Sequence, residues 1–382
     1  MSGVTHLSRN ATARQMARQC HHRRDVPLMQ TLLYCLSLSS FFVVSLYAFV
    51  PSSVRRLRRD HVRHIKWRAG VVLGVMMSGV GLYRCTWIVC RIADDRLLVP
   101  PWYAYIGMPW QPLQDLQIAL HVVILYSGSF VCSWLKIYHN ARILHREKET
   151  AASKRGGSLK ASFVPDTRPM PILPKPKYLR LSLKYTWIQP TIQSFRSFHD
   201  DEDHRWIMLR NLCIAPAAEE LIFRSCLLPP LLTSRPRLSP TQASWIAPLF
   251  FGVAHLHHFY EKYRVLPSCQ RSKGEIGHLL LGLAVQWTYT TLFGAFASHV
   301  FVRTGSLLGV ILAHVICNYM GLPDIGFSHK SSSLHRYRWL VMTVYFFGIS
   351  LFILGFDFAF YPKESVLPSL LLRGTKNEID EI

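Results

Sequence analysis

The sequence predicts an all-α fold: a polytopic integral membrane protein of about eight transmembrane helices enclosing a polar cavity. Three observations carry that expectation. Half of the 382 residues are hydrophobic, and they gather in runs long enough to cross the bilayer, which takes roughly 20 apolar residues per helix. Charged residues make up only 17% of the chain, against about a quarter in a soluble domain. The 44 Lys and Arg outnumber the 22 Asp and Glu, for a formal charge of +22, and the cations cluster mainly between apolar runs. In hydrocarbon every backbone N–H and C=O has to be bonded within the protein, so the runs are read as helices.

Residues 1–28 form a basic flank, with Arg9, Arg14, Arg18, Arg23 and Arg24 against one acid, Asp25. An acid-poor start of this kind also fits a mitochondrial transit peptide; the plainer reading is a basic arm before the first span. Residues 29–136 hold the N-terminal spans, expected over 29–50, 69–90 and 114–136. The loop carrying Arg55, Arg56, Arg58, Arg59, Arg63, Lys66 and Arg68 is placed in the cytosol by the positive-inside rule. Beside a membrane span its expected partner is anionic lipid, not nucleic acid. Arg91 to Leu113, rich in Pro and Trp, reads as an interfacial loop on the other side.

Residues 137–205 break the hydrophobicity. They are expected to form a basic, Pro-containing cytosolic linker, followed by an amphipathic stretch, Tyr178 to Phe198, on the membrane surface. The acidic run Asp200 to Asp203 would complement the N-terminal dipole of the next helix; it lacks the glycine and terminal Glu of a calcium loop. Residues 206–361 hold five further spans, expected over 206–230, 240–258, 277–302, 305–320 and 337–361, and 362–382 form a tail. An even number of spans puts Met1 and Ile382 on one side. Loop charge favours the lumen for both, and the basic arm favours the cytosol.

The chemistry gathers in 206–361. Ala215 to Arg224 places two adjacent carboxylates, Glu219 and Glu220, and the Arg224 guanidinium inside an apolar segment. Each such charge costs at least about 2.5 kcal/mol in a membrane. At i, i+4 on a helix, Glu220 and Arg224 share a face, acid before base. Glu219 lies about 100° round, so it is expected to stay free to handle a proton while Arg224 neutralises Glu220. A buried ion pair with a spare carboxylate is the plain structural alternative.

His255 ends an apolar helix, with His257 and His258 beside it, and His314 and Asn318 stand at i, i+4 on another. Such polar groups also serve simply to hold helices together, and Thr288 to Thr291 reads mainly as packing. Taken together, the set suits hydrolysis of an amide by activated water. Glu219 would take the proton with His255 helping to place the water, and His314 and Asn318 would donate to the tetrahedral oxyanion, worth about 2.7–4 kcal/mol per donor. The polar cavity is thus expected to be an intramembrane catalytic one.

Arg210-Asn211, Ala215-Pro216, Glu219-Glu220-x-x-x-Arg224, Phe251-x-x-x-His255 and His314-x-x-x-Asn318, in that order, resemble the type II CAAX prenyl proteases, the Ras-converting enzymes of the endoplasmic reticulum membrane. Leu249 to His255, Thr290 to Ala295 and Arg303-Thr304-Gly305 narrow the resemblance to the eukaryotic branch. It covers about residues 205–325. It implies an eight-helix intramembrane endopeptidase, multi-pass in the endoplasmic reticulum membrane, that removes the last three residues from farnesylated or geranylgeranylated CAAX proteins, small GTPases such as Ras among them. It implies Glu219 and His255 as the water-activating pair, His314 and Asn318 as the oxyanion hole, Glu220 and Arg224 as supporting residues, and no metal or other cofactor.

Membrane lipid is the further expected partner, since the +22 charge would hold the protein against anionic headgroups; a prenyl chain lying in the bilayer while the peptide enters from the cytosolic surface would explain a protease site among membrane helices. Two other readings compete: a zinc metalloprotease built from Glu219, His255 and His314, though no HExxH is present, and a non-catalytic membrane scaffold. A thiol mechanism through Cys226 or Cys317 has less in its favour. The nine cysteines are scattered without a CxxC, so neither a disulfide framework nor a zinc knuckle is expected; Cys35, Cys85, Cys90, Cys132, Cys213, Cys226 and Cys317 read as small packing residues. The C-terminus, Asn377 to Ile382, is no KDEL-type address.

Overall fold

A computed structural model describes residues 26–83, 107, 111–156, 174–236, 238–254, 263 and 272–356, and every statement of absence below concerns those residues. They form an all-α membrane protein. Three helices are long and apolar enough to cross a membrane: Leu28–Ala48, Gly274–Thr304 and His335–Leu354. Pro112–Leu125 and Ser127–Glu149, bent by 61°, make a fourth if they form one span. The eight expected spans include 84–90, 255–258 and 357–361, which lie outside the described residues.

The chain divides into two compact units. The first comprises Met1–Ala119, Arg210–Val315 and Phe360–Ile382. Its first helix, Leu28–Ala48, buries Thr31, Cys35, Leu38, Phe42 and Ser45, a three-and-four spacing that puts them on one stripe. Phe42 stands edge-on to Phe223 at 6.0 Å. The helix Val62–Tyr83 starts seven residues before the expected span. Arg63, Lys66 and Arg68 therefore occupy its first turns instead of a loop, since helix formation needs only a continuous run of compatible residues, whatever their charge.

The stretch from Glu202 to Leu232 is helical with two π-helical segments, Arg210–Ile214 and Leu221–Cys226, on either side of Ala215–Glu220. Insertions of this type recur at functional sites. Asp201 caps the beginning: its carboxylate accepts from Asp203 N at 2.9 Å and His204 N at 3.3 Å, as expected of an acid at a helix N-terminus. Pro240–Ala254 and Lys273–Thr304 cross in opposite directions at very small residues. A Cβ on Gly252 would lie 2.5 Å from the Trp287 indole nitrogen, and one on Gly294 would lie 2.8 Å from Pro248 Cβ. Close approach through small residues is how membrane helices gain contact area, because lipid supplies no hydrophobic drive between them.

The second unit comprises Leu120–Leu209 and Ile316–Ala359. Cys132, Leu135, Phe327, Leu334 and Val341 form its core. The helix Ser127–Gly156 runs on through 137–156, where a flexible loop was expected. The sequence there is rich in charge, yet Ile137, Ala141, Arg142 and His145 are buried along one face at helical spacing, and good helix formers such as Leu144, Glu147 and Lys148 carry the helix onward. Pro176 then opens the helix Pro176–Leu183 at its first position, where its missing N–H costs nothing, and helical structure continues to Asp200. This covers the amphipathic stretch read from the sequence; Pro165, Pro169 and Pro171 lie outside the described residues.

Candidate active site

Glu219, Glu220, Arg224 and His314 all belong to the first unit, and the structure brings them together. Glu220 is 0% exposed at its side chain and Arg224 1%. Arg224 Nε lies 3.0 Å from Glu220 Oε2, an ion pair whose line is off hydrogen-bond alignment, since neither atom has a hydrogen-bond partner. The guanidinium also sits over the Phe251 ring at 5.3 Å, with Phe223 edge-on to Phe251 at 4.9 Å. A cation on an aromatic face recovers part of its lost hydration. The apolar run around the charges therefore helps to hold them.

The other oxygen of Glu220 takes a partner 94 positions away: His314 Nδ1–H donates to Oε1 at 2.7 Å. A carboxylate on one ring nitrogen fixes the tautomer and the aim of the imidazole. His314 Nε2 then faces Glu219 Oε2 at 3.8 Å. That separation is too long for a direct hydrogen bond, yet a single oxygen can bond both atoms. Phe293 packs on the imidazole at 4.8 Å, so the crossing at Gly252 and Gly294 supplies a ring to each half of the cluster.

Glu219 is the more accessible carboxylate, its side chain 20% exposed against 0% for Glu220. It lines a cavity of about 100 Å³ with Phe42, Ile65, Ala218, Phe223 and Phe251. Arg59, Arg68 and Arg210 line it as well.

The remaining expected site residues are placed differently. Asn318 follows one turn after His314 on Leu307–Met320; it is exposed and falls in the second unit. His255 lies outside the described residues, as do His257 and His258. Thr290 turns its hydroxyl onto the Gln286 and Trp287 carbonyls of its own helix, the packing role expected of it. Cys35, Cys132, Cys226 and Cys317 are buried as expected, while Cys213 is exposed because it sits on an outward position of the Arg210–Ile214 segment. Among the described residues no three His, Cys, Asp or Glu side chains are grouped to hold a metal ion.

Sequence reasoning missed the bond between Glu220 and His314, the aromatic rings of Phe251 and Phe293, and the arginines on the cavity wall. The adjacency of Arg210 to Asn211 and the Phe251-x-x-x-His255 spacing were the only local signals for any of these.

Residues 202–320 match the family model described as type II CAAX prenyl endopeptidase Rce1-like. The chain is 41% identical over 152 residues to CAAX prenyl protease 2 of Homo sapiens, covering 40% of this chain and 42% of that protein. It is 46% identical over 115 residues to CAAX prenyl protease 2 of Arabidopsis thaliana, covering 30% and 34%. Against CAAX prenyl protease 2 of Saccharomyces cerevisiae it is 37% identical over 142 residues, covering 36% and 43%. The matched region thus spans between about a third and two fifths of the length of these relatives. No solved structure matches the chain. Over residues 202–320, the segment that holds Glu219, Glu220, Arg224, His314 and Asn318, the chain is similar to the type II CAAX prenyl endopeptidases of the Rce1-like family.

Proposed function

We propose that this protein is an intramembrane endopeptidase that removes the C-terminal three residues from prenylated CAAX proteins. The observation that carries the proposal is the chain of contacts from buried Arg224, Glu220 and His314 to the partly exposed Glu219 within the matched segment. Glu219 is the general base: it takes a proton from a water held between its carboxylate and His314 Nε2, and the hydroxide attacks the scissile carbonyl. Glu220 keeps His314 in place, and Arg224 balances the charge of Glu220 so that a second carboxylate is tolerated beside Glu219. Base catalysis of this kind contributes about 10²–10⁴-fold. His255 shares the water-activating role and Asn318 donates to the oxyanion; His314, whose Nδ1–H is committed to Glu220, joins Asn318 as a donor when Nε2 carries a proton as well. These roles rest on the resemblance and on residue type.

The substrates are farnesylated or geranylgeranylated CAAX proteins, small GTPases such as Ras among them, and the enzyme resides in the endoplasmic reticulum membrane. The names of its relatives support the substrate class, and the apolar helices support residence in a membrane. The test is release of the tripeptide from a farnesylated CAAX peptide by purified protein in detergent, with and without a strong chelator, beside Glu219→Ala. Chelator-resistant cleavage lost in the variant is the expected result. Cleavage lost on chelation and restored by zinc would move the assignment to a metalloprotease. No cleavage of any prenylated peptide would favour the non-catalytic scaffold.

A further inference from the structure

The helix that presents His314, Leu307–Met320, is held at its beginning by a carboxylate that takes no part in the chemistry above. Asp115, on Pro112–Leu125, is only 3% exposed. The Ser306 hydroxyl donates to its Oδ1 and at the same time accepts from Gly309 N at 2.9 Å. The second of these is an ordinary N-cap bond. The Ser306 N–H donates to the Thr304 hydroxyl at 3.2 Å, and the Leu307 N–H to the Gly107 carbonyl at 2.6 Å. Neutral groups therefore already cap this helix. A buried carboxylate is an expensive addition among membrane helices, and its cost points to a role beyond capping.

Asp115, Ser306, Gly309, Glu220 and His314 all belong to the first unit. The helices approach closely at Asp115: a Cβ on Gly309 would lie 3.3 Å from its Oδ1 and would strike Ile118 Cδ1. Ser306 precedes His314 by eight positions, about 12 Å along a helix axis. Asp115 thus fastens the helix at Ser306, and Glu220 fastens it at His314, 2.7 Å away. Two fixed points on one rigid element set both its height and its rotation. Both matter at the 3.8 Å gap between His314 Nε2 and Glu219 Oε2, which one oxygen can bridge only while the gap is kept. A misplacement of about 1 Å can cost about 10²-fold in rate. We propose that Asp115 is a positioning residue for the peptidase: through Ser306 it fixes the height and rotation of the helix that aims His314 at Glu219. The proposal rests on the peptidase reading above.

The experiment measures kcat and KM on a farnesylated CAAX peptide for the wild type, Asp115→Ala, Asp115→Asn, Ser306→Ala and the double Ala variant, each per folded molecule. In parallel it follows the carbethoxylation of His314 by diethyl pyrocarbonate, read by mass spectrometry, which needs no substrate. Each single Ala variant is expected to lower kcat by about tenfold or more with KM little changed. The double variant should be little worse than either, because both changes break one contact. Asp115→Asn keeps an acceptor for the Ser306 hydroxyl and should recover most of kcat. His314 should react faster in the Ala variants than in the wild type or Asp115→Asn, as the imidazole comes away from Glu220. A role confined to folding would lower yield and thermal midpoint but leave kcat per folded molecule and His314 reactivity at wild-type values, and that result overturns the proposal. Additive losses in the double variant overturn it as well. If Asp115→Ala does not fold, Ser306→Ala, which removes only the hydroxyl of the same contact, decides between these outcomes. Failure of the wild type to cleave any prenylated peptide, with His314 still more reactive in the Ala variants, overturns the peptidase reading and leaves the placement of His314 by Asp115 standing.

Discussion

The two units of the chain each contain an ion pair, and the pairs differ in almost every physical respect. In the first unit Glu220 and Arg224 are 0% and 1% exposed and share the carboxylate with His314. In the second, Lys136 Nζ meets Asp324 Oδ2 at 2.8 Å with side chains 50% and 52% exposed. The exposed pair adds little, because water solvates its members equally well apart. The buried pair cannot be explained by stability either, since apolar residues of similar volume would often do as well or better. Its cost is understandable only if the charges orient something, and the group they orient is His314 opposite Glu219. Polar groups elsewhere in the second unit show the cheaper pattern: His121 Nε2 meets the Phe352 carbonyl at 2.9 Å and Ser182 donates to the Ile137 carbonyl at 2.8 Å.

That contrast can be broken at several points. The largest effect is expected from removing one member of the buried pair. Arg224→Met leaves Glu220 ionised in an apolar surround and should cost about 3–5 kcal/mol, read as a lowered thermal midpoint in detergent. Glu220→Leu combined with Arg224→Met should recover most of that stability without recovering cleavage. Next, Gly252→Val drives a side chain into the Trp287 ring and should cost about 1–3 kcal/mol as an overpacked contact, with activity falling as Phe251 and Phe293 lose their registration on Arg224 and His314. The same thermal scan and the peptide assay check it.

The smallest effect is expected in the second unit. Lys136→Ala should cost less than about 1 kcal/mol. Lys136 and the Gly326 backbone N–H hold the Asp324 carboxyl below the usual range. A carboxyl depressed in the folded state stabilises above its unfolded pKa, about 4, and loses that contribution as pH falls through the lower folded value. The difference between wild type and Lys136→Ala should therefore vanish at acid pH and be shrunk by salt, as thermal midpoints at several pH values would show.

How much of this was legible in the sequence follows from the range of each interaction. Hydrophobic runs and helix caps are local, so the all-α class and the Asp201 cap could be read from neighbouring residues. The pairing of Glu220 with Arg224 needed only helical geometry over four positions. The bond from Glu220 to His314 spans 94 positions, and no spacing rule reaches that far. Reading by spacing gave Glu220 a single partner and tied His314 to Asn318, whereas Glu220 holds both Arg224 and His314. The helix through 137–156 was missed for a different reason: its buried face, Ile137, Ala141, Arg142 and His145, is partly small or polar, and counting hydrophobic residues does not register such a face. The basic stretch 55–68 looked like one lipid-facing loop because charge counting does not say which side chains turn inward.

The most direct test of the central claim, that Glu219 and His314 act on one water as a unit, is a double-mutant cycle in kcat with Glu219→Gln, His314→Gln and the pair, on a farnesylated CAAX peptide. Residues that act together are strongly non-additive. The account predicts that each single change lowers kcat by about 10²-fold or more and that the double variant is little worse than either. Additive losses, or either single variant cutting at close to the wild-type rate, would contradict it.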